Sequence, residues 1–273
     1  MRRTLYRYSI PFKQGGQREG ILMRLESKKG DVGWGEIAPL PGFSAETLEE
    51  AIDALKEDRF SLYPSVQWGH AAALLDLSCP LTIDSIPVRT LETDKIKIGD
   101  FSLKEAIEKV EKTPCSGVDI NQKWSLDQAL ALAKACPKLQ YFEEPLKVGE
   151  NTSLFPYPVA LDESLRQKNP LSYPWIKMHT IKPSLHGYPL PNPIKGIDFI
   201  LSSSYESPLG LYQIAKLAFR LNLPLIPMGL GTVHLFSESL FEETCKCIDG
   251  LLFFPQTWTL KANQVEVLFD GSI

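Results

Sequence analysis

Hydrophobic positions change rhythm along the chain, and the changes divide it. "ILMRLES" (21–27) and "DVGWGEIA" (31–38) flank "KKGD", a pattern that predicts two antiparallel strands joined by a turn. A Pro/Gly-rich loop, "APLPGFS" (38–44), leads into "SAETLEEAIDALKED", where apolar residues fall at helical spacing. Ser44 is expected there as the N-cap, with Thr47 at the third helical position. "SVQWGHAAALLDLSC" (65–79) predicts a second, more apolar helix. Residues 1–82 thus read as an α+β unit.

Beyond it the pattern becomes one of short apolar runs. "IPVRTL", "KIKI", "SGVDI", "QYFEEPL", "PVALDES", "HTIKPSL", "DFILSSSYES" and "PLIPMGL" are eight successive strand candidates. Several are almost continuously apolar, as suits parallel strands buried on both faces. "SLKEAIEKVEK", "SLDQALALAKAC", "PLGLYQIAKLAF" and "SESLFEETCKC" are expected as helices between or after them. Strands alternating with helices imply βαβ units, and eight strands imply a (β/α)8-type barrel over residues 83–250. The span allows about 21 residues per unit, whereas a full βαβ takes roughly 30. The shortfall can be located. No helix fits between "IPVRTL" and "KIKI". "RQKNPLSYP" is short and interrupted by proline, and "HGYPLPNPIKG" carries three prolines, each costing a helix interior about 3 kcal/mol. The fold class expected is therefore α/β, a pruned barrel with an N-terminal α+β capping domain. The tail, 251–273, alternates like strands and is expected to return to that domain.

Composition narrows the partners. Among 273 residues, 29 Lys and Arg stand against 33 Asp and Glu, a net charge of −4 that recruits neither nucleic acid nor an anionic membrane surface. No apolar run reaches the roughly 18–20 residues of a membrane span. The N-terminus is basic but has no apolar run of signal-peptide type. Five scattered cysteines (Cys79, Cys115, Cys136, Cys245 and Cys247) predict free thiols in a reducing cytoplasm.

Candidate chemistry sits at the strand ends. Side chains alternate along a strand, so Lys95 and Lys97 share one face and Ile96 and Ile98 the other. A sheet with one wet face accounts for that; so does a barrel mouth that needs a base. Asp119, Glu143 and Asp162 close three successive strands, and barrel chemistry occurs at the carboxyl ends of strands. Converging carboxylates need a cation, and hard oxygen ligands suit Mg²⁺. Each acid also has a local alternative: Asp119 with Asn121 as a turn, Asp162 as the cap of a short turn, Glu144 as ligand in place of Glu143. Lys182 ends the sixth strand, across such a barrel from Lys97. Two amines flanking a metal-bound carboxylate suit removal of a proton from the adjacent carbon. One lysine of the Lys95/Lys97 pair would be the base and the other, with the metal, would hold it deprotonated, since like charge lowers an amine's pKa.

"GWGEIAPLPGFSAET", "KIK", "DINQKWS", "FEEPL", "LDESL", "IKPSL" and "LSSSYESPLGL" run in order over most of the chain. Together they resemble the enolase superfamily and, within it, the ortho-succinylbenzoate synthase family. The resemblance implies Mg²⁺-dependent dehydration of 2-succinyl-6-hydroxy-2,4-cyclohexadiene-1-carboxylate to ortho-succinylbenzoate in menaquinone biosynthesis. It implies Lys97 as acid/base and Lys182 as the stabiliser of the intermediate. Asp119, Glu143 and Asp162 would be the Mg²⁺ ligands. Ser203, Ser204 and the backbone around Gly229 and Gly231 would contact the succinyl carboxylate, and loops at Gly16–Glu19 and Pro41–Phe43 would close the site. Two departures bear on substrate placement: Gly117 stands where some members carry arginine, and "IKPSLHGY" lacks the usual glycine pair and helix.

Other motifs add no chemistry. Gly33-Trp34-Gly35 and Gly229-Leu230-Gly231 lack the context of a dinucleotide fingerprint, "SSS" at 202–204 lacks a nucleophile elbow, and His70, His179, His186 and His234 show no metal spacing. The competing readings are an N-acylamino acid racemase or dipeptide epimerase on the same scaffold and, in another class, a non-catalytic binding protein with a degenerate barrel.

Overall fold

The computed structural model describes residues 1–89, 95–167, 172–223 and 226–273. Thr90 and Leu91 of the first barrel strand, the link before "KIKI", residues 168–171 of "RQKNPLSYP", and Pro224 and Leu225 lie outside the described residues. In chain order the elements are β1 (Arg2–Pro11), β2 (Gln17–Glu26), β3 (Val32–Ile37), α1 (Leu48–Lys56), α2 (Pro64–Ser78), β4 (Ser85–Pro87), β5 (Lys95–Lys97), α3 (Leu103–Lys112), β6 (Gly117–Asp119) and α4 (Leu126–Ala135). There follow β7 (Tyr141–Glu143), β8 (Val159–Leu161), β9 (Ile176–Ile181), α5 (Pro183–His186), β10 (Asp198–Leu201), α6 (Pro208–Arg220), β11 (Lys246–Ile248), β12 (Leu251–Phe253) and β13 (Val265–Ser272). Contacts group these into two compact units. Unit 1 is Met1–Val88, Lys182–Pro191 and Leu201–Ile273, and so draws on all three of the segments read in the sequence; unit 2 is Arg89–Ile181 and Asn192–Ile200.

In unit 1 an antiparallel sheet runs in the order β13–β1–β2–β3. The expected hairpin is β2 and β3, and the tail strand β13 pairs with β1 from Arg2↔Ser272 to Tyr8↔Val265. One face packs Leu5, Ile21, Met23 and Leu25 against Ala51, Ile52 and Leu55 of α1 and Val66 and Ala73 of α2. The α1 N-cap is Thr47 rather than Ser44: Thr47 and Glu50 form a capping box, each side chain taking the other's backbone N–H. Ser44 is used otherwise, its Oγ accepting the Leu40 N–H at 2.8 Å to close the preceding loop.

A second correction concerns "SESLFEETCKC", which is not a helix. Phe241 bridges Leu260, Glu243 accepts the Thr259 N–H at 2.7 Å, and Cys247 pairs with Leu252 in a hairpin of β11 and β12. Consecutive Leu240 and Phe241 are both fully buried, which suits an irregular extended segment wedged into a core better than a one-sided helix. All five cysteines are free thiols. Also in unit 1, α6 is buried from Pro208 to Ala218 without a break, and isolated parallel bridges join Val88 to Met228 and Ser202 to Gly229.

Unit 2 is a six-stranded sheet in the order β10–β9–β8–β7–β6–β5, parallel from β5 through β9. Its helix-covered face buries Ile96, Val118, Phe142 and Val159 beneath Ala106 and Val110 of α3 and Ala129 and Leu132 of α4. The sequence explains the pruning. α3 and α4 each begin at a serine with a capping box, Ser102 with Glu105 and Ser125 with Gln128. After β7 and β8, by contrast, the described residues hold only 3-10 turns, Thr152–Leu154 and Glu163–Arg166. The proline-rich stretch after β9 supports one helical turn, α5, before β10. Among the described residues no helix is long and apolar enough to cross a membrane.

Candidate active site

The face of the unit 2 sheet opposite the helices carries the polar residues. Pairing places Lys97 beside Asp119 and Asp119 beside Glu143, with Ala160 next in line. Neighbouring strands lie about 4.8 Å apart, so these side chains leave the sheet as one row. Asp119, Glu143 and Asp162 are each about 2 % exposed. Asp162 follows Ala160 by two residues, just past the end of β8.

Lys95 enters this group. Its Nζ donates to Asp119 Oδ2 at 3.0 Å and to Glu143 Oε1 at 2.5 Å, with the side chain 22 % exposed. Burial alone would lower the lysine's pKa, but Glu143 and Asp119 outweigh it and hold Lys95 as the ammonium well above its ordinary range. Burial, reinforced by Asp119 and Asp162, pushes the Glu143 carboxyl up to about 7 against the opposing pull of Lys95. Asp162 takes its own cation, Arg166 Nη1, at 3.1 Å. Lys97 is exposed at the strand end.

The alternatives raised by the sequence resolve individually. Asp119 serves twice: Oδ1 accepts the Asn121 N–H at 3.1 Å, as a turn would have it, while Oδ2 meets Lys95. Asp162 precedes a 3-10 turn without capping it through its side chain. Glu143 joins the carboxylate row, whereas Glu144, in a left-handed conformation at φ 43°, turns away to accept the N–H groups of Asp162 and Ser164. Sequence reasoning missed Arg166 and this bracing by Glu144. The second acid of "FEEPL" was visible, but its direction depends on a positive φ that no pattern encodes.

The remaining candidates belong to unit 1. Lys182 is half-buried and is the N-cap residue of α5, its N–H donating to His186 Nδ1 at 3.2 Å. Ser203 is nearly buried, its N–H donating to Gly229 O at 3.0 Å and its hydroxyl bonded to Thr232 Oγ1 at 2.9 Å. The Ser204 N–H donates to Glu206 Oε2 at 2.5 Å, and its Oγ is buried without a hydrogen-bond partner. Gly229 has no room for a Cβ, which would stand 2.3 Å from Ser202 Oγ; Gly231 is buried two residues on. Gly16–Glu19 is less of a loop than expected, because β2 begins at Gln17. Arg18 lies buried, with Nη1 donating to Pro39 O at 2.6 Å and Nη2 to Ala38 O at 2.5 Å and Ser204 O at 3.3 Å. Pro41–Phe43 is an exposed loop.

The donors of unit 2 suit a hard divalent cation. Three buried carboxylates gather at neighbouring strand ends, and the Lys95 ammonium already stands between two of them as a cation would. Among the described residues, no three His, Cys, Asp or Glu side chains stand close enough together to form a metal-holding group in this structure. A cation placed between Asp119 Oδ2 and Glu143 Oε1 would take the position that the Lys95 ammonium holds in this structure.

Residues 1–77 match the family model described as MenC, N-terminal domain. The chain is 32% identical to the o-succinylbenzoate synthase of Yersinia enterocolitica over 88% of this chain and 93% of that protein. Its fold resembles an o-succinylbenzoate synthase from Thermosynechococcus elongatus, a crystal structure complexed with Mg in the active site (TM-score 0.69, 22% identity, 88% of this chain and 95% of that one). It also resembles the L-Ala-D/L-Glu epimerase of Bacillus subtilis (TM-score 0.71, 14% identity, 99% of each chain). The fold is thus the (β/α)8-type barrel with an N-terminal α+β capping domain, here pruned of helices. The chain belongs to the o-succinylbenzoate synthase family of the enolase superfamily and is an enzyme of the lyase class, not a non-catalytic barrel.

Proposed function

We propose that this enzyme dehydrates 2-succinyl-6-hydroxy-2,4-cyclohexadiene-1-carboxylate to ortho-succinylbenzoate in menaquinone biosynthesis, with Mg²⁺ as its metal. The observation that carries this reading is the row of Lys97, Asp119 and Glu143 across three paired strands, with the Lys95 ammonium resting on both carboxylates. A Mg²⁺ ion held by Asp119, Glu143 and Asp162 would supply positive charge to the substrate's carboxylate. Lys97 removes the proton α to that carboxylate and returns a proton to the departing hydroxide. The C–H and C–O bonds break, water leaves and the ring becomes aromatic. Lys182 stabilises the anionic intermediate by its charge. Ser203, Ser204 and the backbone around Gly229 and Gly231 take the succinyl carboxylate. In domain terms, 1–82 with the tail 251–273 forms the cap and 83–250 the barrel.

The test is direct. With the cyclohexadiene substrate and Mg²⁺, the wild-type protein should form the aromatic product. Lys97→Ala should lose about 10²–10⁴-fold in turnover, the usual worth of a positioned acid/base. An intact rate in Lys97→Ala removes that residue from the chemistry. If no aromatic product forms but deuterium exchanges at the α-carbon of an N-acylamino acid, the racemase or epimerase reading replaces this one.

A further inference from the structure

We infer that Glu144 is a positioning residue, which sets Asp162 for cation binding by holding that residue's backbone; the inference rests on Asp162 being a metal ligand. Glu144 is completely buried, and neighbouring polar groups surround its carboxylate. Oε1 accepts the Asp162 N–H at 2.6 Å, the Ser164 N–H at 2.9 Å and the Ser164 hydroxyl at 2.7 Å. Oε2 accepts from Gln122 Nε2 at 2.8 Å, and Gln122 Oε1 in turn accepts from Gln167 Nε2 at 3.0 Å. The backbone repeats the tie: Glu144 N–H donates to Ala160 O at 3.1 Å, and Gln122 N–H donates to Glu144 O at 2.9 Å. One residue thus fastens the segments that follow β6, β7 and β8, the three strands that carry Asp119, Glu143 and Asp162.

Two features argue for more than packing. First, the arrangement costs backbone strain. Glu144 at φ 43° and Gln122 at φ 57° both occupy the left-handed region, which disfavours non-glycine residues by about 1–2 kcal/mol each. Second, the bonds fall on the peptide of a ligand candidate. Asp162 has an irregular backbone, φ −132° and ψ −83°, outside both helix and strand, and its side chain caps nothing. Glu144 Oε1 holds the N–H of that irregular residue from the neighbouring strand end. A carboxylate suits the task because charge-assisted bonds from N–H groups are about twice as strong as neutral ones. Groups that orient ligands in this way are commonly worth 10–100-fold in metal affinity.

The experiment compares wild type, Glu144→Gln and Glu144→Leu in full-length protein, using Mg²⁺ alone as the probe. Hydrogen exchange of metal-free protein reports the Asp162 and Ser164 amides, and calorimetry reports Mg²⁺ affinity. The amides should be protected in wild type, less in Glu144→Gln and least in Glu144→Leu. Mg²⁺ binding should weaken in the same order, by about 10–100-fold in Glu144→Leu. A purely structural residue would lower melting temperature and leave the affinity of the folded protein unmoved; wild-type affinity in Glu144→Leu overturns the inference. Should that variant not fold, Glu144→Gln decides: weakened Mg²⁺ binding with an intact fold supports the inference, and unchanged binding overturns it. Absence of Mg²⁺ binding by wild type sinks the metal-site reading itself, an outcome distinct from failure at Glu144.

Discussion

Lys95 and Lys97 leave the same strand two residues apart, yet their surroundings differ. Alternation placed both on one face, and Ile96 and Ile98 do fill the opposite core. It could not say that Lys95 would bridge two buried carboxylates while Lys97 stayed exposed, because that follows from strand register and not from either lysine's neighbours in sequence. The bridge has a testable consequence. In metal-free protein, Lys95→Met leaves Asp119 and Glu143 buried without their counter-ion, and removing one partner of a buried pair costs about 3–5 kcal/mol. Because Lys95 retains some contact with water, the loss should fall toward the lower end. Mg²⁺ should then restore more stability to Lys95→Met than to wild type, since the cation replaces the missing ammonium. Equal metal-free melting temperatures for the two proteins would mean that Lys95 is no counter-ion. The same limit explains Glu144: the sequence offered two adjacent acids, and a left-handed backbone chose between their directions.

At the scale of elements, what local pattern encodes was legible and what close approach encodes was not. Serines with Glu or Gln three residues on mark the starts of α3 and α4, and proline explains why the connection after β9 stops at one turn. "SESLFEETCKC" misled because its composition suits a helix while its neighbours supply a hairpin and the Thr259 contacts. "GWG" at 33–35 was recognisable as no nucleotide motif, but its purpose needed the packing. α2 lies directly on β3, where a Cβ on Gly35 would stand 1.9 Å from the Gly69 carbonyl oxygen and one on Gly33 2.2 Å from that of Ala73. Backbone atoms cannot yield as side-chain ends do. Gly35→Ala should therefore push helix from strand and destabilise unit 1 by at least the 1–3 kcal/mol typical of overpacking. Denaturant melts monitored at Trp34 and Trp68 should report it, and a wild-type midpoint would mean that the contact is looser than drawn.

For the molecule as a whole, the barrel class and the order of β5 to β10 were readable because parallel strands buried on both faces announce themselves as short apolar runs, whereas the start of "IPVRTL" pairs antiparallel with β12 in a separate sheet. The pairing of β13 with β1, joining residues some 260 positions apart, was legible only as alternation in the tail. The grouping of 201–250 with the N-terminal sheet in one compact unit had no local signal at all. The distribution of the proposed ligands leads to a prediction about how metal acts on the protein. Asp119 and Glu143 end β6 and β7 and Asp162 follows β8, consecutive strands of unit 2, so a cation bound by them would stabilise that sheet directly. Binding to the folded state alone contributes about 2.7 kcal/mol at a concentration one hundred times the dissociation constant. For a chain of this size that corresponds to a rise of roughly 5 °C or more in melting temperature. Amide exchange should slow first in β6, β7 and β8, ahead of β1, β2 and β3. Chelation should reverse both effects, and Asp119→Asn or Glu143→Gln should abolish them, because a neutral amide weakens the ion's hold while keeping side-chain volume. A melting temperature that does not respond to Mg²⁺ in wild type would remove the cation from the site; a response that persists in both variants would move it elsewhere in the protein.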